Sequence, residues 1–152
     1  MTYVTLHAAW MVLAVVFGTV AGYQGLVRAT MRPGHGSPLP GRFILKSHNR
    51  YGTVFFVMLY IGILYGWIMA DHLLDGPHLP PRIGTVHIVL AASIGGLYGG
   101  AWIVGGALAR RPAGKARAWP AVHMVMNYTA CTLIAVQMGL AAYYVYIWPR
   151  GS

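Results

Sequence analysis

Four stretches of the chain, 4–27, 51–70, 83–109 and 118–149, contain no Asp, Glu, Lys or Arg, and each runs for at least 20 residues. At about 1.5 Å per residue, an α-helix of that length crosses the roughly 30 Å of a bilayer's hydrocarbon. A backbone in that medium must satisfy its own polar groups, and a helix does so within one segment. Only 9% of the 152 residues are charged and 57% are apolar, whereas a soluble domain is about 25% charged. The chain is therefore read as an all-α integral membrane protein. It is expected to form a single transmembrane domain over 1–152, with helices at about 4–27, 43–71, 82–109 and 118–148. The first run is too long for the core of a signal peptide and lacks a basic start and a small-residue cleavage site, so it is expected to be a retained helix.

Pro- and Gly-rich loops at 32–41, 75–81 and 110–115 separate the runs, and Pro81 and Pro120 suit first-turn positions. Short connections make successive helices alternate in direction, giving an up-down-up-down four-helix bundle. One face then carries Arg28, Arg32, Arg42, Lys46, Arg50, Arg110, Arg111, Lys115 and Arg117; the other has Arg82 and Arg150 with both carboxylates, Asp71 and Asp75. Positive charge stays in the cytoplasm, so both termini are expected on the non-cytoplasmic side. The basic loops also suit contact with anionic lipids. That use accounts for the net charge of +9, and no nucleic-acid partner is expected.

Two carboxylates leave a Ser-His-Asp relay, a paired-carboxylate acid and base, or a carboxylate-rich metal site short of parts. A single cysteine, Cys131, excludes an internal disulfide, a four-Cys iron–sulfur cluster and a covalently attached c-type haem. Any redox chemistry must rest on histidine.

Of the seven histidines, His35, His72 and His78 fall in loops and read as solvated. His7, His48, His87 and His123 fall one to each helix, every one near its helix's N-terminal end. Because helices alternate in direction, His7 and His87 share the outer leaflet, and His48 and His123 the inner. Two imidazoles on facing helices are the axial pair of a six-coordinate b-type haem. A bare zinc or copper ion would want a third or fourth ligand, and none is visible near either pair. The four histidines are accordingly candidate axial ligands to the irons of two non-covalent haem b groups; helix-to-helix hydrogen bonding is the plainer alternative.

Eighteen residues, five turns, past each of these histidines stand Gly25, Gly66, Gly105 and Ala141. Each is on the same face as its histidine but about 27 Å further along. These small residues would let a second cofactor approach the backbone closely, or else pack helices together. Arg50 and Lys46 flank His48, and Lys115 and Arg117 precede His123, where inner propionates would emerge. Arg82, five residues before His87, would serve an outer propionate or pair with Asp71 or Asp75. Tyr3, Trp10, Tyr65, Trp67, Tyr143, Tyr144, Tyr146 and Trp148 form an interfacial belt, with a quinone or redox-partner role as the other reading.

With these residues in view the chain resembles the cytochrome b561 superfamily, four-helix cores holding two b haems. His123-Met-Val-Met-Asn127 followed by Gln137 is similar to the His-x-x-x-Asn and downstream Gln of a family of bacterial membrane proteins with the same core. The resemblance covers about 120 residues of helical core and implies His7 with His87 and His48 with His123 as ligand pairs. It further implies a multi-pass protein of the bacterial inner membrane that carries electrons as a subunit of a larger redox complex. Membrane or periplasmic redox subunits would be its partners, and quinone a further one. Two alternatives stay open. One is a quinone-reactive haem-binding anchor in which His72, His78 or Asp71 takes protons; the other is a cofactor-free structural or assembly subunit. Asn127 and Gln137 would orient a haem or bond neighbouring helices.

Overall fold

The computed structural model describes residues 2–31, 35–69, 81–110 and 119–146, with the backbone alone at 2, 81–83 and 144–146. Four helices make up nearly all of this: α1 (Thr2–Ala29), α2 (Leu45–Ile68), α3 (Pro81–Ala109) and α4 (Trp119–Tyr146). Pro81 opens α3 and Pro120 is second in α4, positions where a missing N–H costs no helical bond. Each helix holds a stretch long and apolar enough to cross a membrane: Tyr3–Ala29, Leu45–Ile68, Gly84–Ala109 and Trp119–Tyr143. The chain is an all-helical protein of multi-pass membrane type.

The helices belong to two compact units, Met1–Leu74 with α1 and α2, and Asp75–Ser152 with α3 and α4. In the first, Trp10 near the start of α1 donates its indole N–H to Met58 O, 2.8 Å away on α2, while the start of α2 meets the end of α1. The pair is therefore an antiparallel hairpin. Ala14, Ala21 and Val27 of α1 and Phe55, Met58, Leu59 and Gly62 of α2 are buried. Gly18 admits the Phe55 ring: a Cβ there would lie 2.9 Å from Phe55 Cδ2. Gly62 similarly admits Met11 Sδ and the edge of Trp10.

The loop into α2 is tied back to α1. Tyr23 Oη donates to Pro40 O, Thr30 and Ser37 hydroxyls bond at 2.7 Å, and Gln24 Oε1 accepts the Ile44 N–H at 2.8 Å. Ile44 caps α2 without a side-chain hydrogen bond of its own, so Gln24 fixes the helix entry from the neighbouring helix. Gly41, at φ +94°, makes the left-handed turn just before it, a conformation that a Cβ would strain.

In the second unit Ile94, Tyr98 and Ala101 of α3 and Ala130 of α4 are buried. Tyr98 Oη bonds Cys131 Sγ across the hairpin at 3.1 Å, and Gly100 gives way to the Met126 methyl. His87 early in α3 meets Gln137 of α4, and His123 early in α4 meets Ala101 of α3, so this pair is antiparallel too.

Outward faces are apolar in both units. Leu64 is 59% exposed, Trp67 68%, Ile88 64% and Ile103 67%, surfaces suited to lipid chains rather than water. The hydroxyls of Thr19, Ser93 and Thr132 donate to carbonyls four residues back, at Val15, Val89 and Tyr128, which satisfies them inside their own helices. Glycine contacts give a direct stability test. Gly62→Val should destabilise the first hairpin by about 1–3 kcal/mol through overpacking. Gly106→Ala, where a Cβ meets nothing within 4 Å, should be neutral or stabilising by up to about 1 kcal/mol. Denaturant unfolding in detergent, followed by helical circular dichroism, measures both.

Candidate functional site

A side chain on a helix leans toward the N-terminus and covers the turn before it. Where glycine replaces that side chain, the carbonyl four residues back is open, and its second lone pair can take a donor from a neighbouring helix. The chain does this twice. In α1, Ala21 and Gly25 are spaced in this way; in α3, Ala101 and Gly105 are. His48 Nδ1 lies 2.9 Å from Ala21 O, and His123 Nδ1 lies 2.8 Å from Ala101 O.

A carbonyl oxygen only accepts, so Nδ1 carries the proton in both rings and Nε2 keeps the lone pair. This is the tautomer in which imidazole coordinates a metal through Nε2, and a backbone carbonyl on Nδ1–H is a usual outer-shell partner of such a ligand. The glycines set how closely each ring lies against its neighbour. A Cβ on Gly25 would stand 3.5 Å from His48 Cε1, an ordinary contact, whereas one on Gly105 would stand 3.0 Å from His123 Cε1.

The two hairpins follow one pattern. Ala21 and Gly25 stand fourteen and eighteen residues after His7, and Ala101 and Gly105 stand at the same distances after His87. Sequence reading found the eighteen-residue step but not this internal repeat, because the rest of each helix diverges: Gly18 and Tyr98 occupy equivalent places. The recoverable signal was the pair of Ala-x-x-x-Gly motifs at fixed distance from a histidine.

The histidines that open α1 and α3 are held differently. His7 lies over Gly66 of α2, where a Cβ would be 3.0 Å from its Cε1, and its ring stacks on Tyr65 at 6.1 Å and 28°. The Tyr65 hydroxyl is buried without a hydrogen-bond partner among the described residues. His87 meets Gln137 of α4, whose Nε2 is 3.3 Å from His87 O and 3.4 Å from His87 Nε2. Each predicted small residue Gly25, Gly66 and Gly105 thus faces an imidazole of the helix it is hairpinned to, while Ala141 is exposed.

Among the cations, Arg50 is exposed and sits two residues past His48, about 200° around the helix. Lys46 is exposed too. Among the described residues, a cation that reaches toward His48 is Arg28, which sequence reading counted only toward topology. Its guanidinium lies 5.8 Å over the Phe43 ring, and Phe43 lies 6.0 Å from the His48 ring. Arg28 is three residues past Gly25 and so shares its face.

Arg82 is in the first turn of α3, but its side chain lies outside the described residues, as do Asp71, His72, Asp75, His78, Lys115 and Arg117. Asn127 turns back on α4 and donates to His123 O at 2.6 Å. Among the described residues no three His, Cys, Asp or Glu side chains gather as a metal cluster.

Comparison of the chain with known protein families, with curated proteins and with solved structures found no match.

The glycine contacts separate the two carbonyl-bound rings. Gly105→Ala should push His123 off Ala101 O, a loss of about 0.5–1.5 kcal/mol, and Gly25→Ala should leave His48 on Ala21 O. Imidazole Nδ1–H resonances in selectively labelled protein report each bond. Loss of the signal is expected in the first variant only.

Proposed function

We propose that the chain is a di-haem b-type membrane cytochrome, similar to the cytochrome b561 core, carrying electrons across or within the membrane as a subunit of a larger redox complex. The observation that supports this best is the repeated bond from imidazole Nδ1 to a helix carbonyl, His48 to Ala21 O and His123 to Ala101 O. It gives two histidines, one in each hairpin, the Nε2 lone pair that an axial ligand needs. In this reading His48 and His123 serve one haem b and His7 and His87 the other, following the alternation of helix direction. The bound haems supply the one-electron iron couple.

The chain's own residues do the rest. Ala21 and Ala101 carbonyls fix the ring tautomer and, by accepting from Nδ1–H, raise the basicity of Nε2. Gly25, Gly66 and Gly105 let the rings lie against neighbouring helices. Arg28, on the His48 side of α1, and Arg82 are the proposed cations for propionates, and the apolar helices keep water away. The protein is proposed to sit in a bacterial inner membrane with both termini outside the cytoplasm. Its basic loops would touch anionic lipid, and its partners would be membrane or periplasmic redox subunits, with quinone as a further one. Reporter fusions at the C-terminus should be active only on the non-cytoplasmic side.

A second reading draws on the same bonds. His48 and His123 each connect two helices, which is what a cofactor-free structural or assembly subunit would use histidine for. Haem counting on variants separates the two. His7→Ala with His87→Ala should leave about one haem per chain, whereas His7→Ala with His48→Ala should disturb both. Pyridine-haemochrome assays read the stoichiometry. Two haems retained in the His7/His87 double variant would refute the ligand assignment, and no haem in the unmodified protein would leave the structural reading.

A further inference from the structure

The buried face of α2 is formed by Phe55, Met58, Leu59 and Gly62. On the opposite side, at about 100° per residue, Lys46, Arg50, Thr53, Val57, Ile61 and Leu64 fall within an arc of about 80°. All six are exposed. Two cations in successive turns thus head an apolar stripe on one face of one helix.

No other helix is built in this way. α1 and α3 contain one Arg each, Arg28 and Arg82, and α4 contains no Lys or Arg. Lys46 and Arg50 stand at i and i+4, where like charges destabilise a helix. No carboxylate of the chain offsets them there: residues 1–70 include no Asp or Glu, and Asp71 follows the other end of α2 in sequence. Both cations are two residues from His48 and so lie on the other side of the helix from its ring. Arg42, exposed as well, comes four residues before Lys46, in the loop that Gln24 anchors through the Ile44 N–H.

The counter-charge must therefore come from outside the chain, and it must suit the apolar surface that follows. From Arg50 to Leu64 the helix rises about 21 Å, enough to pass through one leaflet, half of the roughly 30 Å hydrocarbon core. A soluble anion would meet the cations and leave the stripe bare. A phospholipid of net negative charge meets both, with its phosphate at Lys46 and Arg50 and its acyl chains over Val57, Ile61 and Leu64. The Thr53 hydroxyl, between the two, can donate to an ester carbonyl.

We propose that this face of α2 is a binding site for one anionic phospholipid, with Lys46 and Arg50 as its phosphate ligands. The proposal rests on the lipid contact inferred above for the basic loops, which it narrows to a defined site, and it is independent of haem.

The test is native mass spectrometry of the full-length chain in detergent, titrated with dioleoyl phosphatidylglycerol or dioleoyl phosphatidylcholine. The unmodified chain should retain one phosphatidylglycerol in preference to phosphatidylcholine. Lys46→Gln and Arg50→Gln should each weaken that lipid by about 5-fold, the usual worth of one cation at an anionic membrane surface. Arg110→Gln, an exposed cation just past α3, should leave it unchanged. Equal weakening by all three substitutions would overturn the site while the general attraction of basic loops to lipid stands. Absence of any preference for phosphatidylglycerol in the unmodified chain would overturn both.

Two further arms address the occupant and the cation. Dihexanoyl phosphatidylglycerol and inorganic phosphate should bind the unmodified chain more weakly than the dioleoyl lipid, and equal binding by either would overturn the role of the apolar stripe and with it the lipid. Arg50→Gln that lowers haem content and leaves the lipid affinity unchanged would assign Arg50 to a propionate and overturn the proposal.

Discussion

The interaction on which the rest depends is the bond from a histidine on one helix to a carbonyl that the next helix leaves uncovered. Helix carbonyls are normally committed to their own i+4 amide and shielded by the side chain above. Ala followed four residues later by Gly removes that shield, and the carbonyl can accept a second hydrogen bond at 2.9 Å from His48 or 2.8 Å from His123. In a low-dielectric interior such a bond is worth more than in water and is costly to leave unmade. It therefore fixes the ring, its tautomer and the register of the hairpin together.

Lipid explains why the device is built from backbone. Within hydrocarbon, each additional polar side chain needs its own partner, and carbonyl acceptors add none. The hydroxyls of Thr19, Ser93 and Thr132 follow the same economy by bonding back to their own helices. What remains on the outside, from Leu64 to Ile103, is apolar and large. Two polar atoms left unsatisfied among the described residues, Tyr65 Oη and Gln137 Oε1, stand beside His7 and His87. The less settled chemistry thus gathers around the histidines that open α1 and α3.

The helices were legible in the sequence because hydrocarbon imposes its demand residue by residue. Runs without charge therefore mark the spans, and α1 (Thr2–Ala29) and α3 (Pro81–Ala109) extend only slightly beyond 4–27 and 82–109. The start of α2 was less legible. Phe43 belongs to the loop and not to the helix, because it packs between Arg28 and His48 while Gln24 takes the Ile44 N–H, contacts that local periodicity does not encode. The four histidines and the glycines at the eighteen-residue step were visible as positions on helical faces. That Gly25 meets His48, and Gly66 meets His7, depends on which helix lies opposite, so the occupant of each glycine face needed three dimensions. Arg28 was hidden for the same reason: in one dimension Arg50 is nearer to His48, but two residues along a helix point away from each other.

Coordination of iron by imidazole is the claim on which the proposed electron transfer stands. Its most direct measurement is the absorption spectrum of the purified chain, oxidised against dithionite-reduced. Two bis-imidazole haems predict a sharp reduced α band of b type, with a Soret shift of matching amplitude. A flat difference spectrum from protein expressed with ample haem would contradict it and leave His48 and His123 as bonds between helices.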